Sequence, residues 1–263
     1  MTEVITSDGI VLQARADGAG PPLLLLNSLG TDLQMWDPQV DRWARSRTLL
    51  RFDQRGHGRS EAPSGPYHLD RLGEDALAVL DAFGQQRVDV CGLSLGGVVA
   101  LWLAIHHPGR VGRLIVADSA ARIGTQAAWQ QRAATVLDDG MDAVADLIIE
   151  RFFSPGFRAA APAQVARMRE TVRGTSSVGY AGSCFALADA DLRDDLSRIV
   201  APTLVLVGSN DVATPPADAQ ELAAGIAGSQ LVELAGAGHL ANLEVPHRFA
   251  ADVERFLEAP HPS

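Results

Sequence analysis

Apolar and polar positions follow two rhythms along the chain. Mainly apolar runs stand at residues 23–26, 48–52, 87–91, 111–117, 203–207 and 231–234. Runs of this length without strict alternation fit strands covered on both faces. Between them the period lengthens: Leu69, Leu72, Ala76, Leu80 and Phe83 share one helical face, which predicts an amphipathic helix over residues 68–83. Further helices are expected over residues 35–45, 97–106, 217–226 and 246–257. Val4-Ile5 and Ile10-Val11-Leu12 flank an Asp8-Gly9 turn and predict a hairpin.

Strands alternating with helices make an α/β protein with a mostly parallel sheet wrapped by helices. The alternation stops after Asp118. Residues 120–198 carry no strand signal, only helical stretches such as 141–153 and 163–172, and the strand–helix rhythm then resumes. This predicts a core built from residues 1–119 and 199–263 with an all-helical cap from residues 120–198 over the strand ends. Residues 259–263 are expected to fray.

Composition narrows the function classes. Of 263 residues 47% are hydrophobic, and 22 Lys and Arg stand against 32 Asp and Glu, for a formal charge of −10. An acidic chain without a basic run repels phosphate backbones, so no nucleic-acid partner is expected. No apolar run is long enough to span a bilayer, and the first residues lack a signal-peptide pattern, so a cytoplasmic protein without membrane contact is expected. Cys91 and Cys184 are far apart and read as free thiols. No His, Cys or carboxylate spacing suggests a metal site.

The chemistry centres on Gly92-Leu93-Ser94-Leu95-Gly96, between a strand run and a helix run. A serine between small residues at a strand–helix turn is the setting of a nucleophile elbow. Serine needs a base, and the base needs an orienting carboxylate. Asp211 follows the run 203–207 and His239 follows the run 231–234, so both are expected at strand ends in the order Ser, Asp, His. Asp118 is a second choice for the carboxylate, and Asp211 has the alternative of capping the next helix. The oxyanion needs two donors. The backbone N–H of Leu95 is one candidate, and that of Leu29 the other, with Ser28 second. His57, between two glycines, reads as a residue that holds its loop, and Arg55 as an ion-pair partner of Asp53.

These residues resemble the α/β-hydrolase superfamily over nearly the whole chain. More narrowly, the chain resembles the 3-oxoadipate enol-lactonase family. The resemblance rests on Asn27-Ser28-Leu29-Gly30-Thr31-Asp32 with Trp36-Asp37, and on Asp53-Gln54-Arg55-Gly56-His57-Gly58. Asp118-Ser119-Ala120-Ala121-Arg122-Ile123-Gly124 and the stretch from Gly179-Tyr180 to Asp191-Leu192-Arg193 also carry it. It implies an α/β-hydrolase fold with an eight-stranded sheet, and opening of a five-membered enol-lactone in aromatic catabolism without a cofactor. The lactone's acetate side chain calls for a cation, for which Arg122 is the candidate. Trp129 and Ser28 are further candidates for the pocket. The expected partner is the small-molecule lactone, and the expected state a monomer or homodimer. A carboxylesterase, a C–C bond hydrolase, a perhydrolase and a non-catalytic receptor are the competing readings.

Overall fold

The computed structural model describes residues 1–259; residues 260–263 of the expected frayed tail lie outside the described residues. The Asp8-Gly9 turn joins β1 (Thr2–Ile5) to β2 (Val11–Gly18) as an antiparallel hairpin. β2 runs well past the apolar signal at residues 10–12 because its second half pairs antiparallel with β4, near the sheet's margin. Arg15 is exposed there, and Asp17 is tolerated because it pairs with Arg15 and with the buried Arg51.

β3 (Pro22–Leu26), β4 (Thr48–Phe52), β5 (Val88–Leu93), β6 (Val111–Ala117), β7 (Thr203–Gly208) and β8 (Gln230–Leu234) complete the sheet. Its order is β1-β2-β4-β3-β5-β6-β7-β8, parallel from β4 through β8. β3 is interior, and Leu23 to Leu26 are at most 1% exposed, which is why that run shows no polar alternation.

Helices α1 (Asp37–Trp43), α2 (Leu69–Ala82) and α3 (Leu95–His106) alternate with the first strands. The single helix expected over residues 35–45 is in fact a 3-10 turn, Leu33–Trp36, followed by α1. Asp32 caps the turn through Gln34 N–H, and Pro38, which lacks an N–H, suits only the first turn of the new helix. Between β6 and β7 lie α4 (Gln126–Asp139), α5 (Asp142–Phe152), α6 (Pro155–Ala160), α7 (Pro162–Gly174) and α8 (Ser177–Asp189). This segment has no strand among the described residues. Then come α9 (Pro216–Gly225), the short α10 (Ala241–Glu244), which has no clear sequence signal, and α11 (Pro246–Glu258). Among the described residues, no helix is long and apolar enough to cross a membrane.

Strand register places the site. Leu26 pairs with Gly92, Leu93 with Ala117, Ala117 with Leu206, and Gly208 with Leu234. The C-terminal ends of five strands therefore form one row, and the loops leaving them emerge side by side.

The helical segment packs closely on the loop after β4. A Cβ built on Gly179 of α8 would lie 2.2 Å from the Gly56 Cα, and one on Gly56 would lie 2.3 Å from the Gly179 Cα. Glycine in a helix normally costs about 0.5–1 kcal/mol relative to alanine. Here the sign is expected to reverse: Gly179→Ala forces two backbones apart and should lower stability by about 1–3 kcal/mol. Thermal unfolding should then start several degrees lower; a raised midpoint would show that α8 does not press on the core.

Candidate active site

Ser94 sits between β5 and α3 with φ 57° and ψ −119°, a left-handed conformation that a side chain rarely adopts. The flanking glycines make that turn possible. A Cβ on Gly92 would meet the Gly96 carbonyl oxygen at 2.1 Å, and one on Gly96 would meet the Leu26 carbonyl oxygen at 2.2 Å. The turn therefore packs tightly against itself and against the end of β3, and presents Ser94 Oγ at the row of strand ends.

His239 Nε2 lies 2.8 Å from Ser94 Oγ, and His239 Nδ1 lies 2.8 Å from Asp211 Oδ2. With Nδ1–H donating to the carboxylate, Nε2 accepts the serine hydroxyl proton. Asp211 also accepts from Ala213 N–H, Thr214 N–H and Thr214 O–H, at 2.7, 3.0 and 2.8 Å. Burial pushes the Asp211 carboxyl up, but the adjacent imidazole and the Thr214 donors outweigh it and hold the group below its ordinary value. Asp118, the second choice for this place, instead accepts from Gly208 N–H and Ala241 N–H.

The acid and base loops are laced together. Ser209 N–H and Asn210 N–H donate to Leu234 and Ala237 carbonyls, the Asn210 amide to Gly236 O, and Gly236 N–H to Ser209 Oγ. Small polar side chains in these turns thus tie the two loops to each other. On the other side, Leu240 N–H donates to Phe152 O at the end of α5. Glu244 accepts from both N–H and Oγ of Ser154, and the Phe152 ring stacks on His239 at 6.0 Å.

The loop after β3 is braced by the stretch after β4. Gln54 Nε2 donates to Asn27 O, Gly30 N–H to His57 Nε2, and Leu33 N–H to Asp53 Oδ1. His57 thus holds the neighbouring loop as well as its own, with Nδ1–H donating to Arg55 O. Arg55 pairs with Asp75 and Asp8, not with Asp53 as expected; Asp53 is taken up by Leu33 N–H and Arg59 N–H. Ser28 N–H is directed at Met35 Sδ, whereas Leu29 N–H has no protein acceptor among the described residues. Leu95 opens α3, where the N–H has no partner inside the helix.

A narrow cavity of about 40 Å³ reaches Ser94 and His239. Ser28, Leu29 and Trp129 line it, and the Ser28 hydroxyl is buried without a partner. Arg122 does not line it: its side chain is 37% exposed and pairs with Asp191 at 3.2 Å, so it sits outside as a surface ion pair. The cavity's cations are Arg132 of α4 and Arg151 of α5, which sequence reasoning missed. Neither has an ion-pair partner among the described residues. Arg132 lies over the Trp129 ring, 5.1 Å from its centroid. Burial and then the like charge of Arg132 pull the Arg151 pKa down. The available signal was the helical offset of three that puts Arg132 on the Trp129 face.

A mostly parallel sheet, a serine on a strained strand–helix turn, and an imidazole and carboxylate from two later strand ends together define an α/β-hydrolase. The chain belongs to the α/β-hydrolase fold family, whose model matches residues 21–246. It is 39% identical to 3-oxoadipate enol-lactonase 2 of Acinetobacter baylyi, over 97% of this chain and 96% of that one. The enol-lactonase from Burkholderia xenovorans LB400 superposes with a TM-score of 0.95 at 39% identity, covering 98% of this chain and 100% of that chain. A hydrolase from Pseudomonas aeruginosa PA01 superposes equally well, TM-score 0.95, at 44% identity and 98% coverage of each. The protein is thus an ester-hydrolysing enzyme similar to enol-lactonases.

His57 supplies a pH test of the braced loop. Burial pushes its imidazole down to about 4, so it stays neutral in the fold, whereas the unfolded chain protonates near 6.5. Its contribution is whole above the unfolded value and is lost as the pH falls toward 4, by up to about 3 kcal/mol. The stability gap between parent and His57→Ala, from urea unfolding, should therefore narrow by about 2–3 kcal/mol between pH 7 and pH 4.5. A widening gap would mean that a charged imidazole is held in the fold.

Proposed function

We propose that the protein opens 3-oxoadipate enol-lactone to 3-oxoadipate through an acyl-enzyme on Ser94. The observation that carries this reading is the hydrogen-bonded line Ser94–His239–Asp211, opening on a small cavity with two unpaired guanidinium groups. The similarity to enol-lactonases supports the choice of lactone. Two cations lining the cavity of a protein of formal charge −10 suit an anionic substrate.

As Ser94 Oγ attacks the lactone carbonyl, His239 Nε2 takes its proton, and Asp211 stabilises the imidazolium. The carbonyl oxygen becomes an oxyanion held by the N–H groups of Leu95 and Leu29. Collapse breaks the bond from the acyl carbon to the ring oxygen. The leaving oxygen departs as an enolate, a weaker base than an alkoxide, and takes the proton back from His239. It remains tethered to the acyl chain. Water, deprotonated by His239, attacks the acyl carbon, and the second collapse returns a proton to Ser94 and frees the carboxylic acid. The enol then relaxes to the ketone. Arg132 and Arg151 of the cap hold the substrate's own carboxylate throughout, the role expected at first for Arg122.

The test is loss of enol-lactone absorbance on adding purified protein. Turnover of simple aryl esters without turnover of the lactone would sink the substrate assignment. Ser94→Ala should abolish turnover with the fold intact. Arg151→Gln and Arg132→Gln should each raise KM for the acetate-bearing lactone about 10- to 100-fold, the size of one charge-assisted hydrogen bond, and leave KM for a neutral ester nearly unchanged. Equal rises for both substrates would make these arginines structural.

A further inference from the structure

The tripeptide Ala117-Asp118-Ser119, at the end of β6, contributes none of the three reacting side chains, yet it touches the elements that carry all three. Ser94 N–H donates to Ala117 O at 3.0 Å, and Ser119 Oγ donates to Ser94 O at 2.8 Å. Asp118 N–H donates to Leu206 O at 2.8 Å. The Asp118 carboxylate spans two further elements: Oδ1 accepts from Gly208 N–H at 2.8 Å, and Oδ2 from Ala241 N–H at 3.3 Å. Gly208 begins the turn that carries Asp211, and Ala241 lies two residues beyond His239.

Asp118 is fully buried and has φ 44°. Among the described residues, Ser94 is the only other non-glycine residue with positive φ. Backbone strain of this kind persists only where surrounding contacts over-determine it. The carboxylate is also placed where its charge is disfavoured, away from water and near the like charge of Asp211. An ionisable group in such a place is a poor choice for stability alone.

We propose that Asp118 is a positioning residue, a buried strut whose two oxygens set the separation of the Asp211 and His239 loops, while Ser119 fixes Ser94 to the same strand end. The inference rests on the triad reading above. Its demand is metric: the base must sit within hydrogen-bond reach of the nucleophile on one side and the acid on the other, and a shift of about 1 Å costs about 100-fold in rate. β6 lies between the strand that delivers Ser94 and the strand that precedes Asp211, and from its end the short Asp118 side chain reaches both later loops.

A substrate-independent measurement tests this. Labelling of Ser94 by a small ethoxy fluorophosphonate, followed by intact mass spectrometry, separates the rate of the chemical step (kinact) from probe affinity (KI). Asp118→Ala should lower kinact about 100-fold with KI within about threefold. Asp118→Asn should recover about tenfold of that loss, because its amide oxygen still accepts from Gly208 N–H. Circular dichroism confirms that each variant is folded at the assay temperature. A folded Asp118→Ala that labels at nearly the parental rate overturns the proposal, as does an Asp118→Asn no faster than Asp118→Ala. Should Asp118→Ala fail to fold, Asp118→Asn and Ser119→Ala decide: each should label several-fold more slowly than the parent, and parental rates in both overturn it. Ser94→Ala runs alongside, and labelling of that variant would instead overturn the identity of the nucleophile.

Discussion

Parallel pairing across β3, β5, β6, β7 and β8 is the constraint on which this molecule turns. In such a sheet every strand points the same way, so each connection must cross over a helix, and all exit loops gather at one edge. Register then does the fine placement, with Gly92, Ala117, Gly208 and Leu234 tied to neighbours at the ends of their ladders. Residues from far apart in sequence arrive together without any direct attraction between them. Local features finish the work. Two glycines let the turn at residue 94 close against β3, and a net of small polar side chains joins the loops after β7 and β8.

Sheet and elbow were largely legible in the sequence, because both leave short-range signatures. A strand covered on both faces reads as an unbroken apolar run, as at residues 23–26, and a nucleophile turn needs small residues two positions either side of its serine. The order Ser94, Asp211, His239 could be read because each residue follows a strand signal directly. What escaped depends on contacts between distant segments. The second half of β2 is polar because it lies toward the margin of the sheet. The four-residue α10 is too short to establish a period. Arg122 was singled out for its place next to a strand end, but its partner Asp191 holds it outside the cavity. Arg132 and Arg151 look like ordinary helix-surface residues until the packing of α4 and α5 over the strand ends aims them inward.

Charge distribution separates the two halves of the site. Carboxylates gather behind the imidazole, with Asp211 against it and Asp118 buried beyond. Arg132 and Arg151 line the cavity from the helical segment. Negative charge therefore lies beside His239 and positive charge lines the cavity, so the field across the site has a direction.

The bonds between Phe152 and Leu240, and between Ser154 and Glu244, have a consequence for how such enzymes diversify. They join the end of α5 to the loop bearing His239, so Arg151 and the base are attached to the same short bridge. The segment between β6 and β7 is therefore not a freely exchangeable module. A graft taken from a relative to alter substrate range must bring, or match, residues 152–154 together with residues 239–244. Without that seam, the transplanted wall and the resident imidazole have no common reference, and a new pocket would come at the expense of the old chemistry.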